Sequence, residues 1–258
     1  MSRIAEAFAK HKAFIPFITC GDPDLETTRK IVCAMVESGA DLIELGIPFS
    51  DPTAEGPVIQ EADNRALSGG VTTDQILDLA KELRKTVKVP MVFMTYANVI
   101  FSYGTERFLT RAKEAEMDGL ILPDVPFEEK EEFAAQCEAY GLDLISMIAP
   151  TSKSRIRMIA KEAKGFIYVV SSMGVTGVRA KITTDIGALI EEVRSVSPIP
   201  CAVGFGISTP EQAAEMASLS DGAIVGSAIV RLIAEHGRNC VEPVSEYVKR
   251  MSEAVHSQ

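Results

Sequence analysis

The stretch DLIELGIPFSDPTAEGP, residues 41–57, combines an apolar run with a loop that carries acids, prolines and a glycine. Glu44 lies inside the apolar run, where it is flanked by Ile43 and Leu45. Burial raises the pKa of a carboxyl group toward neutral pH, where the group can both donate and accept a proton. Glu44 is therefore a candidate acid–base catalyst. The alternative is a structural glutamate whose charge is satisfied by backbone amides or an arginine.

The loop that follows holds two further carboxylates, Asp51 and Glu55. Acids in a loop rich in proline and glycine are commonly solvated or form turns, so their position alone assigns them no role. Tyr168 lies within a later apolar run and Asp124 at the end of another, and both are expected to face the same site. A tyrosine in a strand is more often part of a core than catalytic. These four side chains are secondary candidates beside Glu44.

Other catalytic groups are unfavourably placed in this sequence. The three histidines lie near the chain ends or in a late loop, and each is expected to be solvated: His11, His236 and His256. The five cysteines have no short metal-ligand spacing, and no lysine ends an apolar run, since Lys153 and Lys181 lie in loops. The sequence thus predicts no metal site, no histidine triad and no Schiff-base lysine. Proton transfer is left to carboxylates or tyrosine.

Glycines follow the last two apolar runs and could bind an anion. The segment VGFGIS contains Gly204 and Gly206, and IVGSAIV contains Gly226 and Ser227. Glycine lets backbone N–H groups approach an anion closely, and a helix that starts after Gly226 would add its N-terminal dipole. A third glycine pair, in SMGVTG, could close over the same site. The alternative is that these glycines only form tight turns. Taken together, they favour a phosphate site that needs no basic surface.

Short apolar, β-branched runs alternate along the chain with longer segments of helical periodicity. About eight such pairs match a closed parallel (βα)8 TIM barrel, here with an extra N-terminal helix, and we expect one barrel domain over residues 1–258. An open doubly wound sheet is the alternative, although no GxGxxG motif follows the first strand. The predicted strands are residues 14–20, 41–47, 90–96, 119–125, 142–149, 166–172, 200–206 and 222–228.

The composition argues against several classes of protein. A formal net charge of −10 and the lack of any run rich in lysine or arginine argue against binding of nucleic acid. No stretch reaches the roughly 20 apolar residues of a membrane helix, and the start of the chain has no apolar signal-peptide core. We therefore expect a cytoplasmic protein without a membrane partner. Its hydrophobic fraction of 47% supports a sizeable core.

Seven motifs occur in order over nearly the whole chain: PFITCGDPD, ELGIPFSDPTAEGPVIQ, YANVIF, LPDVPFEE, SSMGVTG, VGFGIS and GAIVGSAIV. Together they resemble the α-subunit of tryptophan synthase. The resemblance implies a carbon–carbon lyase that cleaves indole-3-glycerol phosphate into indole and glyceraldehyde 3-phosphate by a retro-aldol reaction, in tryptophan biosynthesis. It also implies an αββα heterotetramer in which indole passes through a tunnel to a β-subunit. Pyridoxal phosphate is expected only in that β-subunit, and this chain is expected to need no cofactor.

The resemblance assigns catalytic roles to Glu44 and Glu55. Glu44 matches the catalytic glutamate, which would move protons to indole C3 and from the substrate hydroxyl. Glu55 falls where the family has an aspartate near the indole N–H, and Thr53 stands where leucine is usual. Glutamate adds a methylene, and a displacement of about 1 Å can cost on the order of a hundredfold in rate, so the loop geometry must absorb the difference. Asp51 and Thr176 match loop residues used in closure and in signalling to the β-subunit.

The remaining assignments by resemblance concern the substrate and the partner. The indole pocket is expected to be formed by Phe17, Tyr96, Ile121, Tyr168 and Phe205. The phosphate is expected to bind Gly177, Gly206, Gly226 and Ser227. The region of Pro52 and the loop 98–104, with its aromatic residues Phe101 and Tyr103, resemble the surface that docks the β-subunit.

Two alternatives to the lyase stay open at this point. A barrel isomerase or epimerase acting on a phosphosugar would share the phosphate site and a carboxylate base. A ligand-gated, non-catalytic regulator of a β-subunit would account for the altered loop residues Thr53 and Glu55. Release of indole from indole-3-glycerol phosphate distinguishes the lyase from both alternatives.

Overall fold

A computed structural model describes residues 2–171, 185–204 and 206–258 of the chain. Within these ranges each apolar run expected to form a strand does so, usually with narrower bounds than the sequence indicates. Aliphatic and β-branched side chains buried on both faces are typical of parallel strands. The strands are β1 Ala13–Thr19, β2 Ile43–Gly46, β3 Met91–Met94, β4 Gly119–Ile121, β5 Asp143–Leu144, β6 Ser146–Ile148, β7 Ile167–Val170, β8 Cys201–Gly204 and β9 Gly222–Val225.

α-Helices follow or precede the strands throughout the described ranges, and a short one precedes β1, as expected. Several begin at a side chain that accepts a hydrogen bond from the first turn, as Asp24, Thr72 and Thr209 do. No helix in the part of the chain described is long and apolar enough to cross a membrane. The helices are α1 Arg3–Ala7, α2 Leu25–Glu37, α3 Pro57–Ser68, α4 Thr73–Arg84, α5 Ala97–Tyr103, α6 Thr105–Glu114, α7 Glu131–Tyr140, α8 Lys153–Lys161, α9 Ile186–Arg194, α10 Pro210–Leu219, α11 Ser227–His236 and α12 Val241–His256.

The sheet closes on itself. Its strands pair in the order β5-β4-β3-β2-β1-β9-β8-β7-β6, and every pair is parallel. Only Ile145 separates β5 from β6, and its backbone N–H donates to the Leu120 carbonyl oxygen at 2.9 Å. Because β5 pairs with β4 and β6 pairs with β7, the two segments are halves of one strand. The expected (βα)8 barrel is confirmed, and the open doubly wound sheet is wrong.

Two layers of apolar side chains hold the barrel together. The larger layer lies between the strands and the helices, and the smaller one fills the barrel interior. Burial of one large aliphatic or aromatic side chain contributes roughly 1.5–3 kcal/mol. The interior layer includes Phe17, Val92, Met94, Ile121, Phe166 and Tyr168. A polar side chain that points into this layer is therefore surrounded by apolar neighbours.

Three aspartates on the N-terminal face of the barrel connect neighbouring strands in the same way. Each lies just before a strand, and its carboxylate accepts a hydrogen bond from a backbone N–H of the preceding strand. Its own N–H donates to the carbonyl oxygen of that same residue, so the two strands are aligned by reciprocal bonds. The pairs are Asp41 with Phe14, Asp118 with Met91 and Asp221 with Cys201, with N–H to carboxylate distances of 2.8, 2.9 and 2.9 Å.

Cationic side chains complete two of these three connections. The carboxylate of Asp118 pairs with Arg3 at 2.7 Å and with Arg84 at 2.9 Å. Arg84 is only 7% exposed, so Asp118 neutralises a guanidinium that is largely removed from water. The carboxylate of Asp221 lies 2.8 Å from Arg194 and 3.8 Å from Lys12.

Candidate active site

Glu44 lies at the centre of the site, on β2 between Phe17 of β1 and Val92 of β3. Its side chain is 1% exposed, and neither carboxylate oxygen has a hydrogen-bond partner among the described residues. Burial raises the pKa of Glu44 to about 8, and the nearby charge of Glu55 adds to the increase. The structural glutamate satisfied by amides or an arginine is not found in the part of the chain described. Glu44 can therefore hold a proton at neutral pH and donate it.

Glu55, in the loop after β2, is the second buried acid of the site. It is 5% exposed, and burial raises its pKa to about 7. The Tyr96 hydroxyl donates to Glu55 Oε1 at 3.4 Å, which lowers the pKa of this carboxyl group. The same hydroxyl accepts a hydrogen bond from the Ala54 N–H at 2.9 Å. Tyr96 thus connects the end of β3 to the loop and holds Glu55 beside the pocket.

Asp63 of α3 is a third buried acid, which the sequence analysis missed. It accepts a hydrogen bond from the Thr19 hydroxyl at 3.3 Å. Burial raises the pKa of Asp63 to about 7, and the charge of Glu55 also raises it. The available signal was its helical spacing, because Asp63 lies four residues after Ile59 and three before Ala66, both of which are buried.

Aromatic and aliphatic residues are buried near Glu44 and Glu55. Phe17, Ile121 and Tyr168 share the interior layer of the barrel, and Tyr96 is also buried. Burial together with the charges of Glu44 and Glu55 raises the pKa of Tyr168 well above its ordinary value, so this hydroxyl keeps its proton. Four of the five residues expected in the indole pocket are therefore buried around the candidate acids.

Two strand-ending glycines leave room for the aromatic rings. A Cβ atom on Gly46 would lie 2.6 Å from Phe17 Cζ, and one on Gly204 would lie 2.6 Å from the Tyr168 hydroxyl oxygen. Both distances are too short for real atoms, so any side chain at either position would displace a ring. The positions of both rings depend on glycine in the neighbouring strand.

The expected phosphate residues that the structure describes follow two adjacent strands, β8 and β9. Gly226 is the N-cap of α11, and Ser227 is its first residue. The first N–H groups of a helix have no intrahelical acceptor and favour an anion. Gly206 has a φ of +81°, a conformation that glycine adopts easily. A Cβ atom on Gly226 would lie 3.1 Å from Phe17 Cδ1, which places this helix start against the aromatic pocket.

Three of the expected site residues lie outside the described residues: Thr176, Gly177 and Phe205. Asp51 is described and exposed, and its carboxylate accepts a hydrogen bond from the Ser50 hydroxyl. Asp124 lies in the loop after β4, close enough to Tyr96 for its charge to raise the pKa of that hydroxyl. It is exposed, and its carboxylate accepts the Ala97 N–H at 3.1 Å, because the start of α5 offers free donors.

Phe101 and Tyr103, the two aromatic residues expected at a docking surface, differ in solvent exposure. The Phe101 side chain is about half exposed, and its ring centroid lies 5.2 Å from that of Phe133. The Tyr103 hydroxyl instead donates to Asp74, and its ring packs edge-on against Phe108. Tyr103 therefore belongs to the packing of its own helices, whereas Phe101 is available at the surface.

A cavity of about 890 Å³ lies against the loop that carries Glu55. It runs from Thr53 and Ala54 of the loop after β2, past Val170, to the space between α7 and α8. Neither Glu44 nor Glu55 lines it, although Ala54, the residue before Glu55, does. Its volume is in the range of small-molecule sites.

A closed (βα)8 barrel with buried, protonatable carboxylates at the C-terminal ends of its strands, and a glycine-capped helix start beside them, defines an acid–base enzyme of the TIM-barrel class. A family model described as tryptophan synthase alpha chain matches residues 4–256. The chain belongs to this family, which confirms the resemblance found in the motifs.

Individual relatives agree with this assignment. The chain is 49% identical over 255 residues to the tryptophan synthase alpha chain of Lacticaseibacillus casei, covering 99% of this chain and 96% of the relative. It matches the crystal structure of the alpha subunit from Legionella pneumophila with a TM-score of 0.89, 36% identity and complete coverage of both chains. It also matches a chain of the tryptophan synthase complex from Pyrococcus furiosus, with a TM-score of 0.85, 34% identity and coverage of 94% and 98%.

Proposed function

We propose that Glu44 transfers protons in a lyase reaction that cleaves indole-3-glycerol phosphate into indole and glyceraldehyde 3-phosphate. Membership in the tryptophan synthase alpha chain family supports this reaction and substrate. The observation that carries the role of Glu44 is its buried carboxyl group, which has no hydrogen-bond partner among the described residues. Such a group is free to bond to a substrate.

The proposed steps need one carboxyl group that gives and then takes a proton. Protonated Glu44 donates to C3 of the indole ring, which leaves a positive charge on the ring nitrogen. The Glu44 carboxylate then accepts the proton of the substrate hydroxyl as the bond between C3 and the glycerol carbon breaks. The electron pair of that bond returns to the ring, and the hydroxyl carbon becomes the aldehyde. A pKa of about 8 supports this role, because the group starts in its protonated form at neutral pH.

Glu55 is proposed to stabilise the positive charge that develops on the indole nitrogen. Its pKa of about 7 makes a substantial fraction of this carboxyl group ionised near neutral pH. An ionised Glu55 also favours the protonated form of Glu44, because a like charge nearby opposes ionisation. The hydrogen bond from Tyr96 fixes the longer side chain, which supports a loop adjusted to glutamate.

The substrate and partner assignments complete the proposal. The aromatic pocket of Phe17, Tyr96, Ile121, Tyr168 and Phe205 would hold the indole ring. The phosphate would be bound by backbone N–H groups of Gly177, Gly206, Gly226 and Ser227. Asp51 and Thr176 would act in loop closure and in signalling to a β-subunit of an αββα complex, near Pro52 and Phe101. The complex from Pyrococcus furiosus supports such an assembly.

We further infer that the cofactor of the assembly, pyridoxal phosphate, belongs to the β-subunit, and that this chain works through its own side chains. A cytoplasmic location is part of the same proposal. Its support is the five cysteines, all of which are free thiols, as is usual in a reducing compartment.

Substitution of Glu44 by glutamine tests the proposal. The amide keeps the size of the side chain but cannot exchange a proton, so indole release should fall by roughly 10²–10⁴-fold. The matched control is Glu61→Gln, which changes an exposed glutamate on α3 and should retain activity. Indole would be measured directly from indole-3-glycerol phosphate.

The same assay decides between the alternatives. Activity of Glu44→Gln within threefold of the original chain would reject Glu44 as the proton carrier. An original chain that releases no indole but interconverts a phosphosugar would support the isomerase. If the unsubstituted protein turns over neither substrate, yet changes the activity of an added β-subunit, the hypothesis of a non-catalytic regulator would be supported.

A further inference from the structure

His11, Asp41 and His256 meet on the N-terminal face of the barrel. Asp41 precedes β2, His11 precedes β1, and His256 is the last residue of α12. One potential ligand atom from each residue lies within 4.8 Å of the others. The acids of the candidate active site come from later positions on the same strands or from the loops that follow them. The cluster is therefore separate from the site described above.

The imidazoles of His11 and His256 both lie close to the carboxylate of Asp41. His256 Nε2 lies 2.8 Å from Asp41 Oδ2, and His11 Nε2 lies 3.7 Å from Asp41 Oδ1. The two rings are close to each other, with centroids 3.9 Å apart and planes inclined by 43°. Each ring nitrogen thus faces its own oxygen of one carboxyl group. His11 is exposed, as expected, and His256 is partly exposed, but their shared contact with Asp41 was not predicted from the sequence.

The surroundings fix the orientation of the potential ligands. His11 Nδ1 lies 3.2 Å from the Lys12 carbonyl oxygen, which favours a proton on Nδ1 and a lone pair on Nε2. Asp41 Oδ2 accepts the Phe14 N–H at 2.8 Å, and the Asp41 N–H donates to the Phe14 carbonyl oxygen. Such bonds to ligand side chains orient them and strengthen metal binding.

Comparison with the two equivalent aspartates sets Asp41 apart. Asp118 and Asp221 make the same backbone connection, but their side-chain partners are arginines and a lysine. Guanidinium and ammonium groups have no lone pair to offer, whereas a neutral imidazole is a common metal ligand. Of the three aspartates, only Asp41 has side-chain partners, His11 and His256, that could bind a metal ion together with its carboxylate.

We propose that His11, Asp41 and His256 bind one zinc ion, with water as the fourth ligand. Zinc binds nitrogen at about 2.0–2.1 Å and carboxylate oxygen at about 2.0–2.2 Å, so tetrahedral ligand atoms lie about 3.4 Å apart. The distances of 2.8 and 3.7 Å lie on either side of that value. The ion replaces the proton that His256 Nε2 shares with Asp41, and that proton passes to solvent. Both imidazoles are partly exposed, so the ion can enter from water.

Zinc titration of the full chain without an affinity tag tests this site. After treatment with a chelator, calorimetry should show one zinc ion bound per chain. His256→Gln and His11→Gln should each weaken binding by at least tenfold, because two protein ligands hold zinc far less well than three. The matched control is His236→Gln, which removes the remaining, exposed histidine and should leave binding unchanged.

Cobalt serves as a second probe that identifies the ligands. Co²⁺ bound at this site should give the weak visible absorption of nitrogen and oxygen ligands, without the strong near-ultraviolet band of a thiolate. A thiolate band that disappears in Cys33→Ser would assign the metal to the partly exposed cysteine instead and overturn the proposal.

Two further results would also overturn it. The first is an original chain that takes up no zinc at micromolar concentrations. The second is equal zinc affinity in the His256→Gln and His236→Gln variants. If His256→Gln does not fold, as judged by circular dichroism, His11→Gln decides the question, because its side chain lies outside the helices and strands.

Discussion

Carboxyl groups on the two faces of the barrel have opposite surroundings. On the N-terminal face, Asp41, Asp118 and Asp221 each accept a backbone N–H and lie beside cationic or imidazole side chains. On the C-terminal face, Glu44, Glu55 and Asp63 are buried, and none of them forms an ion pair among the described residues. Location within the fold, rather than residue type, decides whether an acid stabilises the protein or stores a proton.

The physical reason is the cost of removing a charge from water. Backbone N–H donors together with cationic or imidazole side chains offset that cost on the N-terminal face. Without a cationic partner, burial instead raises the pKa of Glu44, Glu55 and Asp63. The hydroxyl groups that donate to Glu55 and Asp63 offset only part of this increase. An active site needs the second arrangement, although it lowers the stability of the protein at neutral pH.

The largest expected effect comes from breaking the N-terminal arrangement. Asp118→Asn removes the charge that neutralises Arg84, a guanidinium only 7% exposed. We expect the free energy of unfolding to fall by about 3–5 kcal/mol, because a buried cation is left without its partner. Urea unfolding followed by circular dichroism measures the change.

Asp78→Asn provides the control for this experiment. Asp78 also pairs with an arginine, Arg111, but it is 69% exposed. Its substitution should change stability by less than about 1 kcal/mol. Similar losses in both variants would contradict the contrast between buried and exposed pairs.

The second prediction concerns how stability depends on pH. In the unfolded chain Glu44 titrates at its ordinary pKa of 4.5, whereas in the folded protein its pKa is about 8. Between these values the folded state binds more protons, so the free energy of unfolding decreases as the pH rises from 5 to 8. The contribution of Glu44 is on the order of 3 kcal/mol.

Urea unfolding at several pH values tests this slope. Glu44→Gln should flatten it, while the remaining slope reflects Glu55 and Asp63, whose pKa values are about 7. Glu61→Gln, at an exposed position, should retain the original slope. A Glu44→Gln variant with an unchanged slope would show that Glu44 is ionised in the folded protein.

A third prediction concerns the length of the side chain at position 55. Glu55→Asp withdraws the carboxylate by about one methylene from the Tyr96 hydroxyl, which now lies 3.4 Å away. We expect indole release to fall by roughly tenfold to a hundredfold, because small displacements of a catalytic group are costly. Faster release by Glu55→Asp would instead show that the loop is not adjusted to glutamate.

The smallest expected effect comes from the hydroxyl that supports Glu55. The hydrogen bond from Tyr96 lowers the pKa of Glu55, so Tyr96→Phe should raise that pKa. The acidic limb of the pH–rate profile then moves to higher pH, and the rate at pH 7 falls by roughly threefold. Tyr103→Phe is the control, because it removes a tyrosine hydroxyl that is bonded to Asp74 instead of Glu55. It should leave the pH–rate profile unchanged.

Regular features of the chain could be predicted from the sequence because they depend on local composition. Continuous apolar runs identified all eight barrel strands, and the flanking of Glu44 by Ile43 and Leu45 predicted its burial. The break at Ile145 was not predicted, since the run 142–149 reads as one strand. Whether such a run pairs without interruption depends on its neighbours β4 and β7.

Contacts between distant residues could not be predicted. The cluster at Asp41 joins His256, 215 residues away, and no local pattern links them. Asp63 was missed because its burial depends on which side of α3 faces the barrel. The hydrogen bond from the Ala97 N–H at the start of α5 to the carboxylate of Asp124 could not be read from the position of Asp124 at the end of a strand. In each case the deciding contact comes from another element of the fold.

The absence of side chains at Gly46 and Gly204 fixes the positions of two aromatic rings in the site. A methyl group at Gly46 would displace the Phe17 ring, and one at Gly204 would displace the Tyr168 ring. Either shift would change the shape of the pocket beside Glu44, because Phe17 pairs with Glu44 in the sheet and Tyr168 lies within reach of its charge. The size of aromatic compound that this barrel accepts is therefore limited by its main chain, and broader acceptance is better sought by trimming the rings than by altering the strands beneath them.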